Sequence, residues 1–311
     1  MKIVALAGGV GGARLAHGFS KILNPNEFTV IVNTGDDFSH FGLYISPDID
    51  TVCYMLADIS NSQTGWGRKN ESFSVFETLK EFDAPDWFLL GDKDLALHLE
   101  RTRLLEKGYS ITQITDKIRR FLGIKNHILP MSDDEIRTIV NTVEFGEISF
   151  QEYFVKYKFQ PRTIGFRFNG IEKARPTQAV IESLAKADLV VICPSNPFVS
   201  INPILSLPKI RAILRNKFVI GVSPIIGGKA VKGPLALMLE NDGLPVNPFS
   251  VKNMYEDFLN IFIIDKSDGP IVKDYIQPSS IIISTTEILI KNLNAQIQLA
   301  NKIIDLYEKY K

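Results

Sequence analysis

The sequence is short of cysteine and carries no excess of charge. Its 311 residues include two cysteines, Cys53 and Cys193, and 35 Lys and Arg against 35 Asp and Glu. The cysteines lie far apart, without a second Cys or a His at ligand spacing, which argues against a disulfide framework and a structural zinc site. A net charge of zero provides no basic field for DNA or RNA. We therefore expect a protein of a reducing compartment, without a nucleic-acid partner.

Long apolar runs are also missing. No stretch is long enough to span a bilayer, so we expect no membrane partner. Met1 leads straight into an apolar strand and a glycine turn, so we expect no signal peptide and a cytoplasmic location. The hydrophobic share of 45% is ordinary for a globular protein, and the length allows a sizeable core.

The most informative stretch is the glycine-rich turn near the N-terminus. Ile3 to Ala7 has strand character, Gly8, Gly9, Gly11 and Gly12 follow, and helical character resumes at Ala13. Strand, glycine turn and helix N-terminus together are typical of phosphate binding. Arg14 stands where the dinucleotide fingerprint needs its third glycine, and no Walker A lysine follows. A turn that only packs tightly is the alternative, but four glycines favour a phosphate.

Apolar strands alternate with helices along most of the chain, which predicts a doubly wound, mostly parallel α/β sheet of Rossmann-like type. A strand at 87–90 is part of this prediction. Between residues 109 and 173 the pattern changes to helices at 111–121 and 132–140 and short strands. We therefore expect a core of residues 1–108 and 174–311 with an inserted α+β subdomain at 109–173.

Polar or glycine-rich turns follow the predicted strands, at 8–12, 33–37, 91–94, 194–197 and 223–229. A doubly wound sheet would gather them into one cleft. The cleft would hold glycines and several aspartates, without a Cys–His pair, a serine elbow or a zinc set. This inventory suits magnesium-assisted chemistry on a diphosphate. Asp48 and Asp50 both precede a helix; capping explains one carboxylate and leaves the other spare.

The motifs, taken together, resemble the CofD family of 2-phospho-L-lactate transferases, of coenzyme F-420 biosynthesis, whose bacterial form is called FbiA. The resemblance covers nearly the whole chain and is most like an archaeal, methanogen-type member. It is carried by Ala7-Gly-Gly-Val-Gly-Gly-Ala-Arg14, Asn33-Thr-Gly-Asp-Asp37, Ser46-Pro-Asp-Ile-Asp-Thr51, Gly65-Trp-Gly67, Leu90-Gly-Asp-Lys-Asp-Leu-Ala96, Pro194-Ser-Asn-Pro197 and Ser223-Pro-Ile-Ile-Gly-Gly-Lys229.

The resemblance implies a Mg²⁺-dependent transferase that acts as a homodimer. The donor would be lactyl-2-diphospho-5′-guanosine, or its enolpyruvyl counterpart. The acceptor would be Fo, the 7,8-didemethyl-8-hydroxy-5-deazariboflavin, whose ribityl hydroxyl attacks with release of GMP. The main alternative is a non-catalytic nucleotide-sugar-binding protein of the YvcK type. That type resembles this chain less around Asp50 and at 91–94. A Rossmann dehydrogenase is disfavoured by Arg14.

Carried onto this sequence, the resemblance implies a set of site residues. Asp36 and Asp50 would be catalytic, and Asp36, Asp37 and Asp50 would hold the metal. The substrates would contact Gly8, Gly9, Gly11, Gly12, Asn33, Asp37, Asp50, Trp66, Leu89, Gly91, Asp92, Asp94, Ser195, Asn196 and Lys229. Other members often carry a basic residue at position 89, so a contact by Leu89 would be apolar or through its main chain.

Overall fold

A seven-stranded, fully parallel sheet organises the protein in a computed structural model. The structure describes residues 1–61, 66–231, 233–272 and 280–311. The spatial order of the strands is β14-β13-β10-β9-β1-β2-β5. Their bounds are β1 Ile3–Ala7, β2 Phe28–Val32, β5 His127–Pro130, β9 Leu189–Ile192, β10 Phe218–Val222, β13 Ile261–Asp265 and β14 Ile282–Thr286. The predicted parallel α/β sheet is confirmed.

The central strands are apolar because both faces of the sheet are covered. In β1, Ile3, Ala5 and Ala7 pack on one face, while Val4 and Leu6 pack on the other. The first face is covered by α1 Gly9–Ile22, α2 Pro47–Leu56, α4 Asp92–Glu106, α5 Ile111–Phe121 and α11 Leu293–Tyr310. The second is covered by α6 Gln178–Lys186, α7 Asn202–Ser206, α8 Ile210–Leu214, α9 Leu235–Asn241 and α10 Pro248–Asn253. Helices on both faces make the fold doubly wound.

Residues 109–173 contribute to two sheets. Helix α5 and strand β5 join the main core, where β5 pairs in parallel with β2. Strands β6 Arg137–Thr142, β7 Gly146–Ser149 and β8 Thr163–Asn169 form a separate antiparallel sheet, here called the inserted sheet, with order β7-β6-β8. The helix predicted at 132–140 is wrong because the alternating buried residues of β6 pair with β8.

The strand predicted at 87–90 is also wrong. This stretch is an irregular loop before α4. Its apolar residues pack on a small hairpin, β3 Phe38–His40 and β4 Leu43–Ile45, rather than on the main sheet. The rings of Phe88 and Phe38 meet edge to face with centroids 4.9 Å apart. The run is therefore apolar because it covers a hairpin.

The remaining described elements are short. They are α3 Ser74–Glu81, the hairpin of β11 Ile225–Ile226 and β12 Lys229–Ala230, 3₁₀ turns at Pro25–Glu27 and Lys266–Ile271, and π-helical turns at Glu152–Lys156 and Pro197–Ile201. Gly65, part of the Gly65-Trp-Gly67 motif, lies outside the described residues. No helix within the described ranges combines the length and the apolar character that crossing a membrane would need.

Candidate functional site

A cavity of about 700 Å³ opens at the carboxyl ends of the central strands. Its lining includes Gly8 after β1, Asp36 after β2, Ser195 after β9 and Ser223 after β10. The predicted gathering of strand-end turns therefore occurs for the turns after β1, β2, β9 and β10, whereas residues 91–94 begin α4 and follow no strand. The lining also contains further glycines, carboxylates, aromatic rings and cations: Gly9, Gly11, Arg14, Asp48, Asp50, Tyr54, Trp66, Trp87, Phe88, Leu89, Asp94, His98, Phe150, Phe154, Lys158, Asn196 and Ile290.

The glycine turn is held from two sides. The Gly8 N–H donates to Ser195 Oγ at 3.2 Å, and that hydroxyl donates to the Gly8 carbonyl at 2.7 Å. The Gly9 N–H donates to Asp48 Oδ1 at 2.7 Å. Helix α1 begins at Gly9, so these bonds satisfy two of the N–H groups that a helix start leaves without an intrahelical partner. The other free N–H groups of the first turn remain for a ligand.

Close packing requires two of the glycines. A Cβ on Gly11 would lie 2.3 Å from the Pro194 carbonyl oxygen, and one on Gly12 would lie 2.5 Å from Ser195 Oγ. The turn after β9 therefore approaches α1 only because these positions carry no side chain. Gly11 lines the cavity, whereas Gly12 does not. The turn thus combines the packing role and an open face toward the cavity.

Asp48 is buried between the glycine turn and Asn33. Asn33 Nδ2 donates to Asp48 Oδ2 at 3.0 Å and to the Val199 carbonyl at 3.1 Å. Burial raises the pKa of Asp48 to about 6, although the hydrogen bonds from Asn33 and from the Gly9 N–H act to lower it. Asp48 is the site residue that sequence reasoning left out. The expectation that Asp48 or Asp50 precedes and caps the helix is wrong: α2 begins at Pro47 after Ser46, and both carboxylates lie in its first turn.

Asp36 is buried at the cavity wall near Asp48. Burial, followed by the charge of Asp48, raises the pKa of Asp36 well above its usual range. Hydrogen bonding by the side chains of Thr138 and Asn33 acts in the opposite direction on this pKa, and the buried atom Asp36 Oδ1 has no hydrogen-bond partner among the described residues. A cation beside the two carboxylates would relieve both effects. Of the buried carboxylates that line the cavity, Asp36 is therefore the one suited to a cation.

Asp37 faces away from the cavity, since it does not belong to the lining. It accepts a hydrogen bond from Ser46 Oγ at 2.9 Å. Burial raises its pKa to about 7, while the charge of Arg137 acts in the opposite direction. The side chain links the strand-end turn to the start of α2.

Asp50 is paired with a buried arginine. Arg101 Nη1 donates to Asp50 Oδ2 at 3.1 Å, and Nη2 donates to the other carboxylate oxygen. Arg101 Nη1 also lies 3.0 Å from His98 Nδ1. Because the guanidinium can only donate, a hydrogen bond between the two side chains requires His98 Nδ1 to be the acceptor. His98 Nε2 lies 3.5 Å from Asp94 Oδ1, which also accepts a bond from the Tyr54 hydroxyl.

The far wall of the cavity is aromatic and apolar. It contains Trp66, Trp87, Phe88 and Leu89. Trp66 is 50% exposed and Leu89 38% exposed, so both present apolar surface to solvent at the cavity. Trp87 packs on His40 with ring centroids 5.1 Å apart, which anchors the loop to the β3–β4 hairpin. The wall therefore offers a flat ligand a fixed apolar surface.

Several predicted site residues lie behind the cavity or away from it. Asn33 acts through Asp48. Gly91 is the residue before α4, and its missing Cβ leaves room for the Glu71 side chain. Asp92 accepts bonds from the Ser72 hydroxyl at 2.7 Å and the Val75 N–H at 3.2 Å, so it holds the start of α3. The residues of the prediction that do not line the cavity are Gly12, Asn33, Asp37, Gly91, Asp92 and Lys229.

The second glycine turn already binds a carboxylate of the protein itself. The N–H groups of Gly227 and Gly228 both donate to the buried Asp268, each at 2.9 Å. This arrangement is that of a phosphate-facing turn with an aspartate in place of the anion. Lys229 lies beside it with its side chain exposed. The geometry explains the glycines without a ligand.

The described residues contain no group of three or more His, Cys, Asp or Glu side chains that could by themselves hold a metal ion. The carboxylates of Asp36, Asp37 and Asp50 are directed differently: toward the cavity wall, toward Ser46 and toward Arg101. The pair that shares one wall is Asp36 with Asp48. Mg²⁺ commonly takes one or two carboxylates and completes its shell with phosphate oxygens and water.

Comparison with known proteins decides the family. The model of the 2-phospho-L-lactate transferase CofD family matches residues 3–300. This chain belongs to the CofD family. A 2-phospho-L-lactate transferase of Methanocaldococcus jannaschii is 36% identical over 97% of both chains. One of Methanosarcina acetivorans is 40% identical over 86% of both. The predicted family is confirmed, and with it a transferase rather than a dehydrogenase.

The fold is shared more widely. A UPF0052-family protein of Bacillus halodurans superposes with a TM-score of 0.59 at 14% identity, covering 97% of this chain and 98% of that one. At this identity the likeness concerns the fold alone. The cavity of this CofD-family member is therefore interpreted from its own residues.

Proposed function

We propose that this CofD-family protein transfers a 2-phospho-L-lactyl group from lactyl-2-diphospho-5′-guanosine to Fo in coenzyme F-420 biosynthesis. The enolpyruvyl counterpart is the alternative donor. One observation carries the proposal. A single cavity combines a glycine turn at a helix start, two buried carboxylates and an aromatic wall. These are the parts needed for a diphosphate, a metal ion and a flat deazaflavin ring.

The donor side is the glycine turn together with the turn after β9. Gly8, Gly9 and Gly11 line the cavity next to Ser195 and Asn196. The first-turn N–H groups of α1 favour an anion. The donor's diphosphate would lie here. The bond to be broken joins its bridging oxygen to the phosphorus that bears the three-carbon acid. The leaving group is then GMP.

The acceptor side is the aromatic wall. The deazaflavin ring of Fo would lie against Trp66, Trp87 and Phe88, with its ribityl chain directed toward Asp50 and Asp94. The terminal hydroxyl attacks the phosphorus that bears the three-carbon acid. A phosphodiester forms, the bond from phosphorus to the bridging oxygen breaks, GMP leaves with that oxygen, and the proton of the hydroxyl is released to solvent. Asp50, fixed by Arg101, would orient the hydroxyl by accepting its hydrogen bond.

Mg²⁺ fits Asp36 and Asp48. Both are buried at the cavity wall, and Asp36 Oδ1 has no hydrogen-bond partner in the part of the chain that the structure describes. Two carboxylates beside a diphosphate would repel it without a cation between them. The ion would supply charge neutralisation when bound. The chain's own contribution is to hold both oxygens in place and to position the two substrates.

The direct test is an incubation of the protein with Fo, the guanosine-diphospho donor and Mg²⁺. We expect GMP and a phosphodiester of Fo in equal amounts. Omission of Fo serves as the control, because hydrolysis of the donor alone would also release GMP. Absence of the Fo product with both three-carbon donors would refute the proposal. Nucleotide binding without turnover would favour the non-catalytic alternative.

Replacing Asp50 by Asn is expected to lower kcat by about 100-fold, because the attacking hydroxyl loses the carboxylate that orients it. The variant is also expected to unfold at a lower temperature, since the buried Arg101 loses its partner. Activity is therefore measured well below the unfolding midpoint, with circular dichroism as the check on folding. A wild-type kcat in the folded variant would remove Asp50 from the reaction.

We also propose that the protein forms a homodimer, as the family resemblance implies. Helix α3 has no buried residue; its Val75 is 42% exposed, and Phe82, which follows its last residue, is 78% exposed. Association would cover this apolar surface. Light scattering coupled to size-exclusion chromatography should give a mass of twice 34.9 kDa. A monomer mass at micromolar concentration would contradict the proposal.

A further inference from the structure

One wall of the cavity, here called the inserted wall, comes from the connection between strands β7 and β8 of the inserted sheet. The connection between β7 and β8 contains the π-helical turn Glu152–Lys156. Phe150, Phe154 and Lys158, spaced four residues apart, all line the cavity. The rings of Phe150 and Phe154 are nearly parallel, with centroids 5.6 Å apart. An inserted segment therefore presents a stacked aromatic pair and a cation to the ligand space.

This wall stands on the donor side of the cavity. Phe150 and Phe154 pack with Val199, in the turn after β9, and with Met238 of α9. The same turn carries Ser195, which is bonded to Gly8. The aromatic wall with Trp87 and Phe88 packs on the β3–β4 hairpin instead. The two walls therefore rest on different parts of the structure. The wall of Trp87 and Phe88 rests on the β3–β4 hairpin, whereas the inserted wall packs against the turn after β9, which holds the glycine turn through Ser195.

Lys158 is a cation in a cavity whose charged lining residues are mostly carboxylates. Four carboxylates line the described part of the cavity, those of Asp36, Asp48, Asp50 and Asp94. The described cations of the lining are Arg14 and Lys158. Arg14 Nη1 donates to the Ile290 carbonyl at 3.0 Å. Lys158 is exposed and makes no hydrogen bond or ion pair with any described residue.

The backbone at Lys158 is held in an unfavourable conformation. Lys158 and Phe159 both have φ of +49°, in the left-handed region that non-glycine residues seldom adopt. Bonds from the Tyr157 N–H to the Glu152 carbonyl and from the Phe159 N–H to the Tyr153 carbonyl, at 2.9 and 2.8 Å, hold the turn. Strain of this kind tends to persist where it positions a functional group.

We propose that Lys158 binds the phosphate groups of the guanosine-diphospho donor. The inference rests on the proposed function and assigns the anion a ligand beyond the glycine turn. An ammonium group is a point charge that suits a diphosphate. Its place on the inserted wall, beside the turn that carries Ser195, puts it on the donor's side. Fo, the acceptor, carries no phosphate group, so its binding should not depend on Lys158.

The experiment measures the binding of GDP and of guanosine by titration calorimetry in the presence of Mg²⁺. For Lys158→Gln we expect the Kd of GDP to rise about 10-fold, as for the loss of one charge-assisted hydrogen bond, with the Kd of guanosine unchanged. Lys158→Arg should restore GDP binding. The control is Lys156→Gln, in the same turn, because Lys156 pairs with Glu152 at 3.5 Å and does not line the cavity.

The outcomes separate this proposal from the proposed function. Failure of GDP to bind the wild type, an unchanged Kd in Lys158→Gln, or an equal loss for guanosine each overturns the role of Lys158. In turnover assays, Lys158→Gln should raise the KM of the donor about 10-fold and leave that of Fo unchanged. If the wild type makes no product but GDP binding depends on Lys158, the result supports the anion site and refutes the proposed transferase reaction.

Discussion

Replacing Asp36 by Asn is expected to lower kcat by about 1,000-fold while making the free protein more stable at pH 8. The loss of activity follows because the amide offers the metal and the diphosphate no negative charge, and a single electrostatic contact in an active site is worth about 10² to 10³ in rate. The gain in stability follows because Asp36 is buried next to Asp48, which raises its pKa well above its usual range.

The sign of the stability effect can be worked out from linkage. A carboxyl group whose pKa is raised on folding contributes no penalty below about pH 4, the pKa of the unfolded chain, and costs stability as the pH rises toward its folded pKa. The benefit of Asp36→Asn should therefore be small at pH 5 and larger at pH 8. Asp37 and Asp48, with pKa values of about 7 and about 6, still make the variant less stable as pH rises.

Thermal unfolding at pH 5 and pH 8 in the absence of Mg²⁺ measures this difference. We expect the midpoint of Asp36→Asn to lie a few degrees above that of the wild type at pH 8, at about 2 to 4 °C per kcal/mol. Asp83→Asn is the matched control, because Asp83 is exposed and Asn tolerates its left-handed φ of +54°. A lower midpoint at pH 8, or a wild-type kcat, would contradict the assignment of Asp36.

Replacing Arg101 by Met is expected to destabilise the protein by about 3 to 5 kcal/mol, the usual result of removing one partner from a buried ion pair. Arg101 is 2% exposed and donates to both carboxylate oxygens of Asp50 and to His98. Without it, Asp50 is left as a buried charge that lacks a counterion. Urea unfolding should show the loss, and the thermal midpoint should fall by about 10 °C.

The double variant Arg101→Met with Asp50→Asn tests the physical reason. If the cost comes from the uncompensated carboxylate, the double variant should be more stable than Arg101→Met alone, with a coupling of about 1 to 3 kcal/mol. Arg103→Met is the control on the same helix, since Arg103 is exposed and pairs with Glu100. We expect it to change stability by less than about 1 kcal/mol. Additive losses for Arg101 and Asp50 would show that lost packing, rather than charge, is the cause.

Much of the fold follows from local pattern. Apolar runs such as 3–7 and 189–192 are buried on both faces of the sheet, and a parallel strand has that composition for this reason. The run at 87–90 has the same composition but covers a hairpin instead. Composition reports burial and does not specify the neighbour that provides it. The alternation of buried and half-buried residues in β6 has the period of a strand, and its pairing with β7 and β8 decides against the helix expected at 132–140.

The sequence by itself determined the parallel α/β class, the glycine turn between β1 and α1, and the family, because each is carried by short local patterns that can be recognised along the chain. Tertiary structure decided which carboxylates face the cavity. Asp48 and Asp50 are two residues apart, yet one meets the glycine turn and the other a buried arginine 51 residues away. Their roles diverge because a carboxylate acts through the groups that surround it, and the packing of distant elements brings different partners to the two side chains.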